Sequence, residues 1–327
     1  MENDNNQFKN RIDLEPLKRA TEKLRSEISK VIVGQKQMID QFLVAILANG
    51  HVLVEGVPGV AKTLTAKLIA KSIQTNFSRI QFTPDLMPSD VIGTNIFNLS
   101  TSKFEFNRGP IFGNIILIDE INRAAAKTQS ALFEVMEERQ VTVDGTTYPM
   151  QLPFIVFATQ NPIEQEGTYR LPEAQLDRFL FKIEVNYPDV NEELIILQNS
   201  HSNKSTKESD LIEPVLMATE IIEYQHKIKE IHIDNNLLKY IAQIVTRTRN
   251  NNAIYLGASP RASLAIMLSS KAFAAINGRD YVTPEDIKEM AYPVLRHRII
   301  LTPDKELEGV VVADIIKQII DSIEIPR

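Results

Sequence analysis

Apolar residues recur at helical spacing from Leu14 through Leu17, Leu24, Ile28 and Val31, which predicts an amphipathic helix stopping near Val33-Gly34. A second helix is expected from Gln35 to Asn49, with Met38, Phe42, Leu43, Ile46 and Leu47 on its buried side. The period then changes. His51 to Glu55 is a short β-branched run with the length of a strand, and Thr63 to Lys71 returns to helical spacing through Leu64, Leu68 and Ile69. Asn76 to Thr83 alternates around Phe77, Ile80 and Phe82. Asn114 to Glu120 does not alternate: Ile115-Ile116-Leu117-Ile118 is wholly apolar, the mark of a parallel strand buried on both faces. Lys127 to Gln140 reads as a helix with Leu132, Val135 and Met136 inward. Phe154 to Thr159 and Phe179 to Val185 supply two more buried strands. Strands alternating with helices predict an α/β domain around a five-stranded parallel sheet.

Between these elements lie two expected insertions. Residues 94–112 hold the aromatic pieces Asn95-Ile96-Phe97 and Phe104-Glu105-Phe106 around a polar turn, and 141–152 place Asp144-Gly145 between β-branched residues, a hairpin signal. After Tyr187-Pro188 the pattern turns polar, and 196–210, ending in HSNKSTKESD, reads as a linker. Everything beyond it reads helical: Pro214 to Glu230, Asn236 to Asn250, Pro260 to Asn277, Pro284 to Ile300 and Pro303 to Ile323. The expected division is a polar, disordered tail at 1–12, an α/β core at 13–195, the linker, and an all-helical domain at 211–327.

The first strand and the next helix bracket Gly56-Val57-Pro58-Gly59-Val60-Ala61-Lys62-Thr63, close to the phosphate-binding pattern G-x-x-x-x-G-K-[ST]. Backbone N–H groups of such a loop, backed by the helix N-terminus, cradle phosphates; Lys62 adds a point charge, and the Thr63 hydroxyl ligates Mg²⁺. The plain alternative is a Gly/Pro turn before a helix. Ala61 replaces the second glycine, at little cost if that peptide unit is already helical. Asp119-Glu120 closes the apolar strand where α/β sheets place ligands. Asp119 is positioned to hold Mg²⁺ through water and Glu120 to polarise the attacking water, or the pair merely ends a strand beside the Lys127 helix. Asn161 follows the next strand, where an amide bridges a γ-phosphate and water, or forms an Asn-Pro turn. Arg178 either pairs locally with Asp177 or Glu173 or reaches a phosphate. Arg261 sits in the first turn of a helix, where the dipole opposes a cation, so an anion beyond that end or simple solvation accounts for it.

Composition narrows the field. A net charge of −6 over 327 residues argues against a general phosphate-backbone binder, and the absence of cysteine removes disulfides and thiolate metal sites. The five histidines lack metal-ligand spacing and read as surface or satisfied core residues. No apolar run approaches a membrane span and Met1 to Asn6 is not a signal peptide, so a cytoplasmic location is expected.

These residues resemble the MoxR family of AAA+ ATPases. The specific blocks are GVPGVAKT at 56–63, IDEINRAAAKTQSALFEVMEERQVTVDG at 118–145, ATQNP at 158–162, GTYRLPEAQLDRF at 167–179 and GASPRA at 257–262. The resemblance implies a P-loop core binding ATP or ADP with Mg²⁺, through Gly56, Val57, Pro58, Gly59, Val60, Ala61, Lys62, Thr63, Leu64 and Asp119. It also implies an adenine pocket at Ile32-Val33-Gly34-Gln35, Asn161 as sensor 1, Arg178 as an arginine finger offered to a neighbouring subunit, and Arg261 as the sensor-2 arginine of a lid. A hexameric ring, a client protein to be remodelled or activated, and a von Willebrand factor A-domain partner are implied likewise. Arg123 and Arg170 fall inside matching blocks without an assigned role. A DNA-acting motor would share this core, but Lys103 and Arg108 are the only basic residues of the first insertion. A small-molecule kinase needs an acceptor motif, which is not seen.

Overall fold

The computed structural model describes residues 12–57, 59–161, 168–202 and 211–326; residues 1–11 of the tail expected at 1–12, and the linker residues 203–210, lie outside these. Two compact units form, Lys23–Ile222 and Glu223–Arg327, and the chain up to Glu22 groups with the second.

The chain enters through α1 (Glu15–Ser29) and α2 (Lys36–Leu47), followed by β1 (His51–Gly56), α3 (Lys62–Ser72) and β2 (Phe77–Gln81). Next come α4 (Pro88–Ile92), the hairpin β3 (Gly93–Asn98) and β4 (Lys103–Arg108), then β5 (Ile115–Asp119) and α5 (Ala126–Glu138). A second hairpin, β6 (Gln140–Val143) and β7 (Thr146–Pro149), precedes β8 (Ile155–Gln160), α6 (Glu173–Leu176), β9 (Phe179–Val185) and α7 (Val190–Ser202). The core sheet runs β2-β5-β8-β1-β9 with every neighbour parallel, as the strand-helix alternation predicts. Strands later in the chain flank β1 on both sides, which makes its carboxyl end a topological switch point, where such sheets bind ligands.

Burial explains the apolar strands. All of β5 is buried. On one face Leu53, Ile118 and Ala158 join Leu132 and Phe133 of α5 in a single cluster. On the other, Phe42 of α2 packs on Phe157 at 4.5 Å between ring centroids. Each such side chain contributes about 1.5–3 kcal/mol.

His51 is buried inside this frame. Its Nδ1 accepts from the Val156 N–H at 2.9 Å and its Nε2–H donates to the Met136 carbonyl at 3.1 Å, so the neutral ring joins β1, β8 and α5. Burial, with Arg139 nearby, pushes its pKa down to about 3. Between the ordinary value near 6.5 and 3, the unfolded chain binds a proton that the folded chain refuses, so stability falls as pH falls through that window. At pH 5 the loss is about 2 kcal/mol. Urea unfolding of wild type and His51→Gln at pH 7 and pH 5 checks this: the wild type loses about 2 kcal/mol more than the variant between the two.

Both insertions are hairpins. Asp144 and Gly145 have positive φ, as an Asp-Gly hairpin turn requires. The Asn95 side chain donates to Asp144, and Phe106 stacks on Tyr148 at 4.4 Å, so the hairpins form one arm.

The boundaries need correction. α1 ends at Ser29, and Gly34 lies instead in a turn before α2, with Gly34 and Gln35 both at positive φ. Residues 196–202, read as linker, belong to α7. Residues 211–222 group with the first unit, where Val215 and Leu216 N–H donate to the Ser72 carbonyl, and this delays the next helix to Ala218.

The second unit contains α8 (Ala218–Glu230) from Glu223 onward, α9 (Asn235–Arg249), β10 (Ile254–Leu256), α10 (Pro260–Ile276), α11 (Pro284–Leu295), β11 (Ile300–Leu301), α12 (Pro303–Leu307) and α13 (Val312–Asp321). Helices dominate as expected. Two details differ from that expectation. Ile300, placed at the end of a helix, instead begins β11, which pairs antiparallel with β10, and the helix expected over 303–323 breaks where Gly309 takes φ 76°. Thr283 caps α11 in a capping box with Asp286, which Arg279 grips with both guanidinium NH₂ groups at 2.6 Å.

Candidate nucleotide site

The register of the sheet gathers the site. Glu55 pairs with Gln160 and Ile118 with Ala158, so the carboxyl ends of β1, β5 and β8 share one rim. Gly56, Asp119, Glu120 and Asn161 stand along it. A Cβ on Gly56 would lie 2.8 Å from the Val185 carbonyl, so β9 admits only glycine there. Of the expected phosphate loop, Pro58 lies outside the described residues. Gly59 has φ 87°, with nothing within 4 Å of a Cβ placed on it, and Val60 is buried. Leu64 lies half-buried in the first turn of α3.

Ala61 overturns one expectation. Its backbone is left-handed, φ 58° and ψ 20°, rather than helical. A non-glycine residue there costs about 1–2 kcal/mol. The Ala61 carbonyl is held by both the N–H and the hydroxyl of Thr65, each at 2.9 Å. A left-handed residue feeding a helix start turns successive N–H groups toward one point, the geometry of an anion nest. Lys62 opens α3 and its Nζ donates to the Gly56 carbonyl, which folds the cation back over the loop. Burial pushes the Lys62 pKa down against the pull of Asp119, Glu120 and Glu55.

Asp119 is buried and divided between partners. The hydroxyls of Thr63 and Thr159 each donate to Oδ1 at 3.3 Å, and Arg79 Nε lies 2.6 Å from Oδ2. Glu120 leaves β5 with φ 57° and ψ 52°, and its N–H donates to Thr159 Oγ1 at 3.0 Å. Its Oε2 accepts from Gln81 Nε2 at 2.8 Å and faces Arg123 Nε at 3.2 Å. Asn161 is buried directly after β8.

Val33, Gly34 and Gln35 reach the same neighbourhood. Gln35 Nε2 donates to the Asn186 carbonyl at 3.1 Å, one residue past the Val185 that abuts Gly56. A Cβ on Gly34 would fall 2.1 Å from Glu192 Oε1, which adds a steric demand to its φ of 66°.

Arg178 is not part of this cluster. Arg178 precedes β9, whose Phe179 pairs with His51 and whose Val185 pairs with Gly56, so it lies about 20 Å from the loop at ~3.3 Å per residue. There Nη1 donates to the Phe133 carbonyl at 2.7 Å and Nε lies 3.6 Å from Glu137, a partner not foreseen from the sequence. Arg261 belongs to the second unit, exposed in the first turn of α10, with its N–H on Ser259 Oγ at 3.2 Å.

Sequence reasoning missed Arg79, Gln81 and Thr159 and gave Arg123 no role. Arg79 and Gln81 alternate with the apolar residues of an edge strand, a pattern that reads as a solvated face until the register Gln81↔Asp119 is known.

The arrangement suits a magnesium nucleotide. A hydroxyl and a carboxylate 3.3 Å apart, beside a loop of convergent N–H groups and a lysine, match a cation that keeps several waters and shares phosphate oxygens. Among the described residues no cluster of three or more His, Cys, Asp or Glu side chains forms, and a site of this type needs none.

Residues 51–181 match the family described as ATPase family associated with various cellular activities (AAA), and 246–319 match the AAA lid domain. Fold and site thus define an AAA+ ATPase with a P-loop core and a helical lid. Among relatives, YeaC of Bacillus subtilis (strain 168) is 47% identical over 96% of both chains. Chaperone MoxR1 of Mycobacterium tuberculosis is 43% identical over 92% of this chain and 81% of that one. A crystal structure from Cytophaga hutchinsonii shares 44% identity at a TM-score of 0.89, covering 96% of this chain and 97% of that one. The chain belongs to the MoxR family of AAA+ ATPases. Among the described residues no helix is long and apolar enough to cross a membrane.

Proposed function

We propose that the chain hydrolyses Mg·ATP on this rim and uses the cycle to remodel or activate a client protein. The observation that carries the reading is the approach of Thr63 to Asp119 beside Lys62, since these three groups come from a loop and a strand end far apart in sequence. Thr63 and Asp119 would hold Mg²⁺, which supplies charge neutralisation to the phosphates when bound. Lys62 and the loop N–H groups bind the outer phosphates. Glu120 orients the attacking water and takes its proton, and Asn161 fixes that water against the terminal phosphate. Val33, Gly34 and Gln35 receive the base. Arg261 acts as the lid's sensor, and Arg178 serves the site of a neighbour in a ring, with a hexamer as the expected closure.

A protein client is supported by the insertion arm. Ile96, Phe97, Leu99 and Phe104 are all at least half exposed there. An apolar tip suits polypeptide better than a phosphate backbone. A von Willebrand factor A-domain partner and a cytoplasmic setting complete the proposal.

Metal removal tests it. ATP affinity of the wild type falls in EDTA by roughly tenfold or more, whereas Thr63→Ala binds equally with and without Mg²⁺. Equilibrium titration with a fluorescent ATP analogue reads both. A full Mg²⁺ effect in Thr63→Ala refutes the assignment.

A further inference from the structure

Two segments hold one oxygen of Glu120. The turn Ile121–Arg123 closes directly behind it, with the Arg123 N–H on the Glu120 carbonyl at 2.8 Å. That closure returns the Arg123 side chain to Glu120 Oε2, and Gln81 reaches the same oxygen from β2. Both approaches meet at Oε2. Asp119 is treated in a parallel way, since Arg79 takes Oδ2 while Oδ1 is left to Thr63 and Thr159.

The Arg123–Glu120 pair is about one-third exposed on both sides, 38% and 32%, so it adds little to stability. Its effect is orientation. A glutamate at a strand end has three side-chain torsions, and a water-orienting carboxylate must hold one setting of them to place an oxygen within hydrogen-bond reach.

We infer that Arg123 is a positioning residue for hydrolysis: by holding Glu120 Oε2 together with Gln81, it presents Oε1 to the attacking water. The inference rests on the reading of Glu120 as the water-orienting base.

The experiment is a double-mutant cycle on single-turnover ATP hydrolysis, with ATP affinity measured in parallel. Arg123→Ala is expected to lower the rate about tenfold with affinity unchanged, and Arg123→Lys to recover most of the loss. In a Glu120→Gln background, Arg123→Ala is expected to cost nothing further. Circular dichroism monitors folding, and Arg123→Gln replaces the alanine variant if that one does not fold. An unchanged or raised rate in Arg123→Ala, a loss that appears in affinity, or a full loss that persists beside Glu120→Gln overturns the inference. If Glu120→Gln itself turns over normally, the reading of Glu120 fails and takes this inference with it. If Glu120→Gln is slow and Arg123→Ala is not, only the inference fails.

Discussion

Glu120→Gln lowers ATP turnover by roughly 10²–10³-fold and leaves nucleotide affinity within about twofold of wild type. The substitution removes a proton acceptor and almost nothing else. Lys62 and the loop N–H groups proposed for the phosphates, and Thr63 proposed for Mg²⁺, belong to other segments, and the Glu120 N–H still donates to Thr159 Oγ1. The glutamine carbonyl still accepts from Gln81, and the Arg123 guanidinium still lies beside it, so the side chain stays in place. Asp119 keeps its hydroxyl and guanidinium partners. Phosphate release and equilibrium binding of an ATP analogue separate the two effects. Normal turnover would remove Glu120 from the mechanism. A slow, nucleotide-loaded variant also has a use, because affinity capture with it in the presence of ATP tests for the proposed client.

The sequence made the rim of the sheet legible and left its wiring obscure. Ile115 to Ile118 read as a strand buried on both sides, which puts its terminal carboxylates at the end where such sheets place ligands. Periodicity works there because burial acts on every residue of the run. Asp119's partners follow a different rule. Arg79 reaches Asp119 because β2 pairs with β5, a pairing of residues some forty positions apart, and no local pattern encodes it. The same holds for Thr159 and Gln81.

Ala61 shows the opposite failure. Alanine there was read as cheap on condition of a helical backbone, whereas the loop imposes a left-handed one at local cost. Helix ends were misjudged for a related reason. The apolar spacing over 303–323 continues straight through Gly309, where the backbone turns to positive φ and the helix stops. Glycine inside an apolar period is a weak signal until its φ is known.

Arg178→Ala and Lys62→Ala are each expected to lose ATP turnover by roughly 10³-fold, for different reasons, and a mixture of the two recovers activity. Lys62→Ala loses the phosphate-binding cation of its own site. Arg178→Ala retains that site intact, because the arginine sits at the far end of β9, beside Phe133 and Glu137. Six residues of strand separate it from Gly56, too far for a side chain to span. On the proposed reading this arginine completes the site of another subunit, which a head-to-tail contact provides. In a random one-to-one mixture, a working site needs an Arg178→Ala subunit that carries Lys62 and a Lys62→Ala neighbour that carries Arg178. That pairing occurs at about a quarter of the contacts in a head-to-tail ring, so about a quarter of wild-type activity per subunit returns. Activity per subunit also rises with protein concentration as rings assemble, because the missing group arrives only with the neighbour. A mixture as inactive as its parents, at concentrations where the ring is assembled, would place the phosphate-binding lysine and the arginine in sites that do not share a nucleotide.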